Sequence, residues 1–141
     1  MLIADYSGTP YASMAALAVA RVKLEQDELE AARAQLQWAL DNTGSDLIRE
    51  TARLRLVRVL TAEGSYEQAE ALINEAGASE AFAPLYRELH GDIHLARGDR
   101  ASARAEYEHA LAAMTPDMPE RQLVQLKYDN TAVLDGGEAG E

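Results

Sequence analysis

Apolar residues recur along this chain at three- and four-residue spacing. Between Tyr11 and Gln26, the residues Met14, Leu17, Ala18 and Val22, with neighbouring alanines, draw one stripe on a helix. Leu54, Val57 and Leu60 repeat that spacing between Ser45 and Glu63, as do Leu85, Leu89 and Ile93 between Phe82 and Arg97. Each of these stretches is followed by a second helical segment, and the three followers align on their small residues: Asp27 to Leu40, Gly64 to Gly77 and Gly98 to Leu111. Ala32, Ala69 and Ala103 correspond, as do Leu36, Ile73 and Tyr107, and then Ala39, Ala76 and Ala110. The breaks carry their own signals. Gly64 and Gly98 suit a left-handed turn, Ser65 and Asp99 follow as helix N-caps, and Asp27 with Glu30 reads as a capping box. Gly44 with Ser45 and Gly77 with Ser79 mark longer joints. The pattern predicts six helices paired as three hairpins, over about 11–42, 45–78 and 80–114.

A seventh helix is predicted over 117–131, where Pro116 and Pro119 suit a first turn and Leu123, Val124, Leu126 and Lys127 carry the helical spacing. Stacked hairpins leave an apolar face open at their end, and this helix is expected to close it. The domain then spans 11–133, preceded by 1–10 as the remnant of an incomplete earlier repeat and followed by a Gly- and Glu-rich tail, 134–141, expected to be disordered.

Composition narrows the function. Of the 141 residues 48% are apolar but only 6% aromatic, so alanine and leucine dominate and a β-sandwich is disfavoured. Thirteen basic against 24 acidic side chains leave a net charge of -11, without a run of Lys and Arg, so a phosphate backbone would be repelled and nucleic acid is excluded as a partner. There is no cysteine, hence no disulfide, thiolate metal site or cysteine nucleophile, and redox compartment is left open. The longest uncharged stretch, Tyr6 to Ala20, is too short and polar for a membrane span of about 20 residues.

The separations are 37 residues from Ala32 to Ala69 and 34 from Ala69 to Ala103, and a period of 34 is that of the tetratricopeptide unit. The resemblance is clearest in the third hairpin, where Gly91, Gly98, Ala103, Tyr107, Ala110 and Pro116 fall at or beside the signature positions; the first hairpin departs, with Ala20 and Asp27 where glycine is usual. The fold expected is an all-α, tetratricopeptide-like solenoid of three hairpins plus a C-terminal capping helix. Over almost the whole chain, the order YASMAALAVARVKLEQDELEAARAQLQWAL, RLRLVRVL, LHGDIHLARGDRASARAEYEHAL and QLVQLKYDNTAV resembles the periplasmic domain of the YfgM family, ancillary subunits of the bacterial SecYEG translocon. That resemblance implies an inner-membrane anchor upstream of this chain, a periplasmic location, and a role beside the folding factor PpiD in receiving secreted proteins.

Catalytic chemistry finds little support. His90 and His94 stand at i and i+4 on one helix and in principle chelate zinc, but Gly91 occupies the place where a metalloprotease carries its glutamate base. By repeat alignment they match Leu56 and Leu60, and packing roles are expected; His109 faces outward, so no third ligand is apparent and no metal or other cofactor is expected. A metal-dependent hydrolase on this pair stands as the enzymatic alternative. Phosphate loops, Gly-x-Ser-x-Gly elbows and dinucleotide fingerprints are missing.

A binding surface is the leading expectation. In such an array the first helices of the hairpins line a groove, to which the register assigns Met14, Leu17, Arg21 and Leu24, then Thr51, Leu54, Arg58 and Thr61, then Leu85, Glu88, Asp92 and Leu95. Arg21 and Arg58 would make a local basic spot for an acidic segment of a partner, with leucines taking apolar side chains; the plainer alternative pairs them with Glu25 and Glu88. Tyr86 and Trp38 are read as packing residues. The expected function is a non-enzymatic protein-interaction domain beside the translocon, the alternative a cytoplasmic scaffold that holds a peptide tail.

Overall fold

The structure, a computed structural model, describes residues 10–76 and 80–139. Among them are seven helices and no strand: α1 Pro10–Glu25, α2 Leu29–Asn42, α3 Asp46–Ala62, α4 Tyr66–Glu75, α5 Ala83–Ala96, α6 Arg100–Ala113 and α7 Glu120–Ala139. The fold is all-α, of helical hairpins. The chain divides into two compact units, residues 1–76 and 77–141. The expected remnant at 1–9 and the joint Gly77 to Ser79 lie outside the described residues. No described helix is long and apolar enough to cross a membrane.

In the first unit α1 packs on α2, α2 on α3 and α3 on α4, with a light contact between α1 and α3. Small side chains make this possible. Ala12, Ala16 and Ala20 of α1, Ala32 and Ala39 of α2, and Ala52 of α3 are all buried, and backbones approach closely where no long side chain intervenes. Here the helix is rotated from the sequence expectation: the buried face of α1 is its alanine row, while Met14 is 59% and Val22 48% exposed. Close approach to α2 wins over burial of the larger side chains because a Met or Val at the contact would force the helices apart. In α3 the expected Leu54, Val57 and Leu60 are buried. Arg53, also buried, donates to the Leu72 carbonyl at 3.4 Å and so ties α3 to α4.

The tight turns share one device. Asp27, Gly64 and Gly98, each between the two helices of a hairpin, have φ of 61°, 80° and 85°. Asp27 is thus the left-handed turn residue, so the expected capping box does not form: Glu28 takes the N-cap position of α2, without a side-chain cap bond. Ser65 makes no side-chain cap bond either, whereas Asp99 accepts from the Ser102 amide at 3.1 Å and Ser45 from the Ile48 amide at 3.3 Å. The bonds from Ser102 hold the Asp99 carboxyl below its ordinary pKa.

In the second unit α5 pairs with α6 and α6 with α7 around Ala103, Tyr107, Ala110, Met114 and Val124. A polar network crosses the three helices. The Tyr107 hydroxyl donates to Asp92 Oδ1 at 2.7 Å, and Lys127 of α7 donates to Glu88 Oε2 at 2.7 Å and to Asp92 Oδ2 at 3.0 Å. Burial, with the Asp92 hydrogen bond behind it, pushes the Tyr107 hydroxyl well above its usual pKa, so it stays a donor. Helix α7 continues to Ala139, past 131 and into the segment expected as a tail. Gly136 and Gly137 each weaken a helix by roughly 1 kcal/mol relative to alanine but do not bar it.

Candidate functional site

The first helices of the two hairpins in the first unit, α1 and α3, leave an open cleft of about 300 Å³ between them, lined by Ala20, Arg21, Leu24, Arg55 and Arg58. Arg21 and Arg58 are exposed, and Leu24 and Arg55 are half-buried. One turn separates Arg55 from Arg58, which puts both on the same face of α3. Among the described residues none of these three guanidiniums has an ion pair or hydrogen bond. Other arginines of this unit are engaged: Arg33 with Glu63 at 3.6 Å, Arg49 with Asp46, and Arg53 with Leu72. Three like charges converge on a floor of alanine and leucine carbons. A carboxylate entering there would gain charge-assisted hydrogen bonds without first displacing a partner among the described residues.

The expected groove residues separate into three situations. Arg21, Leu24 and Arg58 do line this cleft. Leu17 instead packs on the Ala16, Ala39 and Ala52 cluster, and Leu54 is 7% exposed, part of the core. In the second unit Leu85 packs against the core around Tyr107, while Glu88, 1% exposed, and Asp92 are bound to Lys127. Glu88 is thereby committed inside its own unit. Arg55, outside the expected set, lines the cleft as well, and its three-residue spacing to Arg58 is the sequence signal for it.

Tyr86 and Trp38 pack, as expected. Tyr86 is 7% exposed, and Trp38 lies against the alanine cluster of α1, α2 and α3. The two histidines stack on each other with ring centroids 4.6 Å apart, and His90 Nδ1 lies 3.0 Å from Glu106 Oε2 across the α5–α6 hairpin. His109 is exposed.

A family model described as a tetratricopeptide repeat-like domain matches residues 1–133. The chain is similar to a protein named ancillary SecYEG translocon subunit from Neisseria gonorrhoeae, 32% identical over 126 residues that cover 89% of this chain and 60% of that protein. The protein of the same name from Escherichia coli is 30% identical over 126 residues, 87% of this chain and 59% of that one, and the one from Haemophilus influenzae 30% over 124 residues, 88% and 59%. The chain therefore spans about three-fifths of the length of these relatives. No solved structure matches. Paired helices, small residues at the helix contacts, left-handed turns at equivalent places and the match over 1–133 converge on one conclusion: the chain belongs to the tetratricopeptide repeat-like domain family.

Proposed function

We propose that this chain is the protein-interaction domain of an ancillary SecYEG translocon subunit, held on the periplasmic side of the inner membrane by an upstream anchor. There it receives secreted proteins and passes them to periplasmic folding factors of the PpiD kind. The name shared by the relatives supports the translocon, and the family supports binding rather than catalysis. The observation that carries the binding site is the cleft of Arg21, Arg55 and Arg58, three guanidiniums without a partner among the described residues, on a chain of net charge -11. Its occupant is a protein segment bearing carboxylates, with an apolar side chain set against Ala20 and Leu24.

The experiment is affinity capture from detergent-solubilised membranes of the source bacterium. The full-length gene product serves as bait, as wild type and as the paired variant Arg21→Glu with Arg58→Glu, read by mass spectrometry. The wild type is expected to recover SecYEG and periplasmic folding factors, and the variant, equally folded by circular dichroism, to lose the folding factors at least several-fold. Recovery of cytoplasmic proteins alone would replace the translocon reading by the scaffold one. Equal capture by wild type and variant would remove the cleft from the reading and leave the translocon association standing.

A further inference from the structure

We propose that His90, His94 and Glu106 form a binding site for one divalent transition-metal ion of the zinc type. His90 and His94 lie one turn apart on α5, and hairpin closure brings Glu106 of α6 against them. Possible ligand atoms of all three lie within 4.8 Å of one another, and His90 Nδ1 is 3.0 Å from Glu106 Oε2. A zinc ion takes nitrogen and oxygen ligands at roughly 2.0–2.2 Å, so two ligands of one ion stand at most about 4 Å apart, and small side-chain rotations close the remaining distance.

The surroundings suit an ion. The side chains of His90 and Glu106 are 29% and 14% exposed, which limits competition from water while leaving a route in. Arg87 Nη1 donates to Glu106 Oε1 at 3.0 Å, which orients the carboxylate with Oε2 toward the imidazole. Outer partners of that kind commonly fix metal ligands. All three ligands stand on helices whose connection is set by the left-handed Gly98 and the Asp99 cap, so their spacing does not depend on a mobile loop. Two imidazoles and one carboxylate select ions such as Zn²⁺, Co²⁺, Ni²⁺ and Cu²⁺ over Ca²⁺ and Mg²⁺, which prefer all-oxygen sites. Gly91 follows His90 where a hydrolase would need a base, so the ion bridges α5 to α6 and has no hydrolytic partner at that place.

The test uses the full chain, first stripped with chelator, in calorimetric titration with Zn²⁺ and in visible absorption titration with Co²⁺ at neutral pH. One ion per chain with micromolar dissociation is expected. His94→Ala and Glu106→Gln should each weaken Zn²⁺ binding at least tenfold and lose the cobalt d–d bands. His109→Ala, on the outer face of α6, should change neither. Circular dichroism checks that each variant is folded. Saturation failing at about a hundredfold excess over micromolar, unchanged affinity in either ligand variant, or loss in the His109 variant would each overturn the assignment. The site stands or falls independently of the translocon reading.

Discussion

Gly91 shows how one residue sets the geometry of a hairpin. A Cβ built there would lie 2.6 Å from Cε1 of Tyr107, a ring that is fully buried and tied through its hydroxyl to Asp92. The ring has no room to retreat. We expect Gly91→Ala to destabilise the protein by about 2 kcal/mol, the cost of overpacking a core outweighing the gain in helix propensity. Urea titration reads this as a lower midpoint, and adding Tyr107→Leu should recover part of the loss; an unchanged midpoint would mean the helices part more easily than their packing indicates. Gly91 and Tyr107 were both legible as signature positions, but their partnership was not, because they stand sixteen residues apart in sequence. The same holds for Glu88 and Asp92. Their spacing placed them on a groove-lining face, yet Lys127, far along the chain, holds them both.

At the scale of elements, the seven helices were legible to within a few residues at most ends, since turn chemistry and apolar spacing act locally. Which face of α1 is buried was not. Its larger apolar residues suggested one stripe, while contact with α2 requires the alanine face. Asp27 adopts φ of 61° where the equivalent turns use Gly64 and Gly98. An L-residue pays about 1–2 kcal/mol for that conformation, somewhat less when it is Asp. Asp27→Gly should therefore raise stability by about 0.5–1 kcal/mol after allowing for the greater freedom of glycine in the unfolded chain. A higher thermal midpoint at unchanged helix content is the expected reading, and a lower one would show that the carboxylate stabilises the turn by another route.

On the scale of the whole molecule, charge is the dominant property. A net charge of -11 repels acidic partners at long range, and the three arginines of the α1–α3 cleft oppose that field only locally. The proposed capture of an acidic segment there would depend on ionic strength, because the screening length falls from roughly 10 Å at 0.1 M to about 3 Å at 1 M salt. We expect the arginine-dependent part of partner capture to decline as salt rises across that range, and capture by the Arg21→Glu, Arg58→Glu variant to respond less. Salt-independent loss in the variant would place apolar contact, not charge, at the centre of recognition.

The helical class, the repeat, the pairing of helices and the excess of negative charge were all readable from the sequence. Each follows from local periodicity, turn residues or summed charge, which act over a few residues or over the whole composition. Tertiary structure alone decided which arginines meet, that Arg55 joins Arg21, that Lys127 fills the carboxylates of α5, and that Glu106 comes to the two histidines. The physical reason is common to all four: a side chain's neighbours across a helix contact depend on the rotation of each helix about its axis, and that rotation is set by packing against residues distant in the chain.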